Sequence, residues 1–594
     1  MTFGPWNPGI HSQIPAELKP LCTVFRPEHV FTSFAVAQEL HGLTGLAPSE
    51  LVAFRPRRLV LHELLIRVTA DFEVPDGSRI EDLGINFREI TGLLLARYLE
   101  PRMDSLVAVF EEARRELALA VQSALARIIA AGEPAAEAPA GGLLTRFRRR
   151  PAAARTATED GAWGLPEIAE CERLAADADD GLDGLVYRTL MRVMSALFTT
   201  NGRAWGTRAQ IVALTTDIAG NAHGGDALGR AVEPLLLEAA AKEGYRLLPR
   251  QELPVVINTK GPSASGKSTL RPLQKKLAGD IGLSWRDFAL ISPDIWRKQL
   301  LDYGSLGDSY KYAGAFTGDE LQIVDHKLDR YMAAKNRRVG MSHLLIDRFR
   351  FDSFAPDSTE AGSNLLTRFG HTVFLFFMIT APELLVERAW NRGLAVGRYK
   401  AVDDTLAHAV EAYSGMPDVF FTWIRRADKL IRFEFLDNSV RLGEAPRTVA
   451  FGDNRSFHLL DPKCILDVER HARVDVNATD PQGLHPRPEL LAPELNMGVL
   501  RRCVQEFPRV TFATRATGRI YLEIESGAVR FVDADELRRA ATDPDTLASI
   551  RAVAPGALTA APAGPAGPRH LQSEDEAVIP TLGLWGEAPS GAPR

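Results

Sequence analysis

The run Gly261-Pro-Ser-Ala-Ser-Gly266-Lys267-Ser268-Thr269 constrains this chain more than any other feature. It satisfies the pattern GxxxxGK[ST] and stands between an apolar run, Leu253–Asn258, and LRPLQKKLAGD, which has helical spacing. A glycine-framed turn between strand and helix curls the backbone so that its N–H groups point inward. The helix N-terminus adds positive potential to that hollow. Such a loop is built for phosphate. On this reading Gly261, Ser263, Ala264, Ser265, Gly266, Lys267, Ser268 and Thr269 line a nucleotide cradle. Lys267 would reach the β- and γ-phosphates of a bound nucleotide, and the Ser268 hydroxyl would help hold Mg²⁺.

The surroundings extend the pattern. Residues 251–445 alternate apolar runs with helical stretches: LPVVIN, FALIS (288–292), HLLID (343–347), VFLFFMI (373–379) and LIRFEFL (430–436). That alternation predicts an α/β fold, a P-loop NTPase-type parallel sheet core covered by helices on both faces. A large α-helical N-terminal region precedes it and a small α+β C-terminal region follows. The helical region divides into 1–131 and 166–250, separated at 132–165 by an Ala/Pro/Arg-rich linker that cannot bury enough apolar area to fold. The cluster Arg146, Arg148, Arg149 and Arg150 within it reads as a solvated spacer. Pro101 marks a break between two helical stretches, and Gly202–Gly206 and Gly220–Gly225 mark two more. RRLVLHELLIRVTADFEV suits strand or helix equally. In the appendage, 446–553, RVTFA and RIYLEI flank a turn, TRATG, as a hairpin, with Ala528–Val532 as a third strand. The Pro/Ala/Gly-rich tail, 554–594, is expected to be disordered.

Composition narrows the class. The chain's 594 residues predict three or four folded units. With 45% apolar and 25% charged residues it is globular, and a net charge of −6 gives no global electrostatic case for nucleic acid. The cysteines Cys22, Cys171, Cys464 and Cys503 form no CxxC pair, which argues against a disulfide framework or a structural zinc site. The N-terminus lacks the pattern of a secretory signal, and no apolar run approaches a membrane span. A cytoplasmic location is expected.

Other charged residues specify the chemistry. Asp294, in Ser-Pro-Asp-Ile-Trp-Arg297, follows the second strand at the sheet edge where ligands gather. An Asp there can accept a hydrogen bond from a hydroxyl and orient it in line with a γ-phosphoryl group; capping the following helix is its structural alternative. Asp347 ends the third strand, where it could hold a Mg²⁺-bound water or contact the acceptor, or pair with Arg348 or Arg350. Thr380-Ala-Pro-Glu383 reads as a capping box opening a helix that carries Arg388 and Arg392 on one face. Gly393 and Gly397 then bracket a flexible segment before Arg398, an arrangement suited to a lid that closes over transferred phosphate. No NKxD guanine signature is present.

Together, GPSASGKST, SPDIWR, HLLID, RAWNRGLAVGR and FLDNSV resemble the zeta-toxin group of P-loop kinases and, more loosely, polynucleotide-kinase-like phosphotransferases, over residues 250–450. The resemblance implies that Asp294 activates the acceptor, that Lys267 and Ser268 are the phosphate-loop pair, and that Arg388 and Arg398 are lid arginines. Asp437-Asn438-Ser439 resembles the family's ending of the last core strand. Zeta toxins use ATP to phosphorylate a hydroxyl of a UDP-linked amino sugar; the resemblance implies a hydroxyl-directed kinase. The third strand departs from the family, ending Asp347-Arg-Phe-Arg rather than Glu-Gly-Thr. The leading expectation is thus an ATP- and Mg²⁺-dependent kinase for a small molecule or nucleotide sugar. In it Asp294, Lys267, Arg388 and Arg398 act on the reaction, Arg297, Asp347 and Arg392 meet the acceptor, and Ser268 and Asp347 organise the metal. A 5′-hydroxyl polynucleotide kinase, compatible with Asp294-x-x-Arg297, is one alternative. A nucleotide-gated interaction module using the helices at 79–131 is another.

Overall fold

The computed structural model describes residues 3–132, 163–179, 181–348, 365–559, 568–571 and 579–586, so the arginine cluster at 146–150 lies outside the described residues. The chain divides into two compact units. One comprises Pro15–Arg67 and Glu89–Tyr245; the other comprises Met1–Ile14, Val68–Arg88 and Arg246–Arg594.

The first of these contains helices and no strand among its described residues. Helices Met103–Gly132, Leu182–Asn201 and Arg208–Glu243 share one core that includes Leu117, Val121, Leu125, Leu190, Met194 and Ile211. The helical N-terminal domain expected at 1–131 and the helical segment expected at 166–250 therefore both contribute to this one core. Pro101 sits in the 3-10 turn Glu100–Arg102, where its missing N–H interrupts the helical ladder. The ambiguous segment after Phe54 is the helix Pro56–Asp71. The break expected at Gly220–Gly225 is absent, and one helix runs through it. A Cβ on Gly224 would lie 2.7 Å from the Phe110 ring, so glycine serves there to admit a neighbouring side chain rather than to end the helix.

The second unit is built on a ten-stranded sheet. Its strands are β1 (Val255–Lys260), β2 (Phe288–Ile291), β3 (His343–Ile346), β4 (Thr372–Ile379), β5 (Leu430–Asp437), β6 (Arg447–Asp453), β7 (Ser456–Leu459), β8 (Arg509–Ala513), β9 (Ile520–Glu525) and β10 (Ala528–Val532). They lie in the order β10-β9-β8-β7-β6-β5-β4-β1-β3-β2. The neighbours from β2 to β5 are all parallel. Every residue of β1, β2 and β3 is buried, which is why these strands read as unbroken apolar runs. Strand order reverses at β1, so the crevice outside the carboxyl ends of these strands is where such sheets take ligands.

The expected boundary at 446 falls inside the sheet, because β6 pairs antiparallel with β5 and β7 to β10 continue from it. The hairpin β8–β9 and third strand β10 lie where the sequence pattern put them. Phe420, on helix Val402–Ile424, explains why no separate domain forms. Its ring meets Phe377, Phe433 and Phe435 on one side of residue 446 and Phe457 and Phe507 on the other. The described residues 579–586 of the tail also depart from expectation. Leu582 is buried, and its N–H and that of Gly583 donate to the buried Glu434 carboxylate at 2.6 and 3.0 Å. Thr448 Oγ1 donates to the same group at 2.8 Å. A carboxylate needing donors inside the sheet gives this Pro- and Gly-rich segment a fixed place. No helix among the described residues is long and apolar enough to cross a membrane. All four cysteines are buried free thiols.

Burial pushes the Glu434 carboxyl up to about 7, against the opposing hydrogen bonds from Leu582, Thr448 and Gly583. An unfolded glutamate titrates near ~4.3. Between these values the folded state holds the extra proton, so Glu434 makes stability fall as pH rises through that window. Glu434→Gln is expected to flatten this part of the stability profile, measured by urea unfolding between pH 4.5 and 7.5.

Candidate functional site

The loop after β1 is shaped by close approach. A Cβ on Gly261 would lie 2.7 Å from Met378 Cβ on β4, and one on Gly266 would collide with the Asn438 amide. Gly266 has φ +93°, and Ala264 adopts a left-handed φ of +66°. The turn closes with Ser265 N–H donating to the Pro262 carbonyl at 3.2 Å. From behind, Asn438 Nδ2 donates to the Ser265 carbonyl at 2.7 Å and Thr380 Oγ1 donates to the same oxygen at 3.4 Å. The end of β5 and the end of β4 thus hold the loop. The helix that follows begins as a 3-10 turn, Lys267–Leu270, and continues as α-helix Arg271–Asp280. Pro272 cannot donate to a carbonyl four residues back, which leaves the first turn tightened.

Within the loop, Lys267 Nζ donates to the Gly261 and Pro262 carbonyls at 3.1 and 3.0 Å. Burial lowers the proton affinity of its amine, opposed by Asp347 and Asp294. Thr269 Oγ1 donates to the Gly266 carbonyl at 2.6 Å. Ser263 is partly exposed at the tip of the turn. Ser268 Oγ donates to Asp347 Oδ2 at 2.9 Å, joining the loop to the end of β3. The next residue, Arg348, does not pair with Asp347. It is buried between Asp325 and Asp329 of helix Gly318–Arg338, at 2.7 and 2.6 Å, which ties the end of β3 to that helix.

Asp294 follows β2 but caps no helix. One oxygen accepts from Arg297 Nε at 2.9 Å and the other is paired with Arg398. Burial alone would raise this carboxyl; Arg398 and Arg297 outweigh it and hold Asp294 well below the usual carboxylate range. Arg297 is fixed in turn, donating to the Thr317 hydroxyl at 2.7 Å. Arg392 lies in the same field, where burial and repulsion from Arg398 bring it down to about 9, still charged at neutral pH. Asp294, Asp347, Lys267, Arg297, Arg392 and Arg398 therefore form one electrostatic cluster at the carboxyl edge of the sheet.

Arg388, expected in the lid, is not in the cluster. Its Nη2 donates to the carbonyls of Asn438 and Val440, both at 2.8 Å, one turn away from Arg392 on the helix Pro382–Val396. The residue holds the chain leaving β5. Thr380 is not the cap of that helix either: Ala381 is, without a side-chain bond, while the Thr380 hydroxyl goes to the loop. Gly393 lies inside the helix with Tyr399 packed over it, and Gly397 ends it in a left-handed turn at φ +73°. Tyr399 also meets Trp390 and Tyr310 at ring distances of 5.6 and 5.8 Å, so the segment carrying Arg398 is braced by aromatic rings.

Four neighbours were not singled out from sequence. Tyr303 sits in the field of Arg297, Arg398, Asp294 and Arg392. Lys400 and His408 lie beside the cluster, each feeling Asp294, and Asp404 stands between them. Asp404 and His408, four residues apart on one helical face, with Lys400 four residues before Asp404, were the available signal.

Ser268 and Asp347 supply paired oxygen donors, the hard ligand type that Mg²⁺ takes alongside phosphate oxygens and water. Among the described residues no group of three or more His, Cys, Asp or Glu side chains could hold a metal unaided.

Removing the Asn438 amide leaves the buried Ser265 carbonyl short of a donor. Asn438→Ala is expected to destabilise the unit by about 1–3 kcal/mol and to speed hydrogen exchange at the amides of residues 263–266, read by mass spectrometry.

No protein-family model matches the chain, and no curated protein matches it. Among solved structures, it is similar to a chain from the PezAT chromosomal toxin-antitoxin system of the human pathogen Streptococcus pneumoniae, at 18% identity. That similarity covers 34% of this chain and 75% of the other, with a TM-score of 0.24, and at that score it carries no weight for fold or function.

Proposed function

We propose that this chain is an ATP-dependent kinase that transfers the γ-phosphoryl group to a hydroxyl of a small molecule or a nucleotide sugar. The observation that supports this reading is the cluster itself: Lys267, Arg297, Arg392 and Arg398 around Asp294 and Asp347, at the mouth of a glycine-framed loop. Its cations outnumber its carboxylates, as a site for a polyanionic triphosphate requires. Phosphoryl transfer needs positioning and charge neutralisation more than covalent assistance from the protein, and these are the groups that supply both.

In this reading the loop amides and Lys267 take the β- and γ-phosphates, and Lys267 exchanges its two loop carbonyls for phosphate oxygens. Ser268 and Asp347 would hold Mg²⁺, which supplies neutralisation of charge on those phosphates. The acceptor hydroxyl oxygen forms a bond to the γ-phosphorus as the bond to the bridging oxygen breaks and ADP departs. Its proton passes to Asp294. As an ion pair with Arg297 and Arg398, Asp294 is a weak base. The incoming phosphate draws Arg398 away, because a phosphoryl group carries more charge than a carboxylate. Losing that partner raises the basicity of Asp294 where the hydroxyl must be deprotonated. Asp294 thus orients the hydroxyl first and accepts the proton late.

Asp294→Asn is expected to cut transfer of labelled phosphate by about 10²–10⁴-fold while MgATP affinity changes only a few-fold. Unchanged transfer would contradict the role. Running the assay with both sugar-type acceptors and a short 5′-hydroxyl oligonucleotide separates the small-molecule kinase from a polynucleotide kinase, for which steep salt dependence is expected.

A further inference from the structure

Lys400 follows Arg398 in the short connection between helices Pro382–Val396 and Val402–Ile424. Its side chain is only 10% exposed. Its Nζ is hydrogen-bonded to His408 Nδ1 and lies 3.5 Å from Asp404 Oδ2. His408 Nε2 is 3.3 Å from Asp404 Oδ1. A lysine ammonium can only donate, so His408 Nδ1 is the acceptor and Nε2–H faces Asp404. Burial and the neighbouring Lys400 charge pull His408 down to about 3, which keeps the ring neutral as this arrangement requires.

The groups around Lys400 come from each element beside it: Asp404 and His408 from the helix that follows, Arg392 from the helix that precedes and Asp294 from the segment after β2. Lys267, from the loop after β1, reaches His408. Burial, with repulsion from Arg392, brings Lys400 down to about 7, while Asp404 and Asp294 oppose this. The group is poised to lose its proton in the free protein and to regain it when an anion arrives.

We propose, resting on the kinase reading above, that Lys400 is a further phosphate-binding residue of this site, aimed by Asp404 and His408 and contacting the nucleotide's terminal phosphate. Binding the phosphate then takes up one proton from solvent at pH above about 7. Below that pH Lys400 is already charged and affinity is independent of it. Above it, affinity falls by up to about tenfold per pH unit until the bound form also titrates. Magnesium-bound triphosphate is fully ionised across this range and adds no slope of its own.

The test is titration calorimetry of the full chain with the magnesium complex of a non-hydrolysable ATP analogue, from pH 6.5 to 9.5. Wild type is expected to lose affinity above about pH 7, with proton uptake seen as a buffer-dependent heat. Lys400→Arg, which keeps its charge, is expected to bind without that slope. Lys400→Met is expected to bind about tenfold more weakly at pH 6.5, also without it. A wild-type profile that is flat overturns the proposal, as does a slope retained in Lys400→Arg, which would assign the titration to Lys267. Absence of nucleotide binding at every pH overturns the kinase reading itself, and Lys400's role with it.

Discussion

One hydrogen bond organises the candidate site: the Asn438 amide, at the end of β5, donating to the carbonyl of Ser265 in the loop after β1. A loop that turns left-handed at Ala264 and Gly266 has given up the strand ladder, and its carbonyls need donors elsewhere. Asn438 and Thr380 satisfy the loop from the rear, which frees its concave side for a ligand. The sheet makes this possible, because parallel pairing of β1, β4 and β5 brings three carboxyl ends side by side. Arg388 reinforces the same corner by gripping the carbonyls of Asn438 and Val440. The loop is built from contacts far apart in sequence, and its shape belongs to the sheet rather than to the motif.

Charge balance is the second constraint. Buried like charges cannot be gathered without counter-ions, and here each carboxylate has a stated duty. Asp294 is shared by Arg297 and Arg398, Asp347 takes the Ser268 hydroxyl, and Asp404 stands between Lys400 and His408. The cations still exceed the carboxylates. The surplus is tolerable because a phosphate chain would discharge it, and burial, with repulsion from neighbouring arginines, keeps Lys400 and Arg392 below the usual proton affinity of their kinds. Tyr399, packed against the rings of Trp390 and Tyr310 and over Gly393, braces the segment that carries Arg398.

The five core strands were legible because burial on both faces leaves an unambiguous apolar signature, and the loop because its spacing has few other uses. What failed to show in the sequence was long-range. Glu434 gives no hint that it will capture the amides of Leu582 and Gly583 from a tail of ordinary disordered composition. Phe420 joins strands on both sides of residue 446, so a composition shift there looked like a boundary and is none. Arg388 and Arg392 are indistinguishable by helical spacing, yet a single turn sends one to backbone carbonyls and the other to the charge cluster. Gly224 and Gly393 looked like breaks because glycine usually is one; both are sites where a ring needs room.

The most direct test of the central claim is a crystal structure with a bound non-hydrolysable ATP analogue and magnesium. The triphosphate is expected inside the 261–269 loop, with Lys267 Nζ moved from the Gly261 and Pro262 carbonyls onto phosphate oxygens and the Asp294 carboxylate facing the outermost phosphorus. Density for the nucleotide elsewhere, with Lys267 still on its own loop, would contradict that claim.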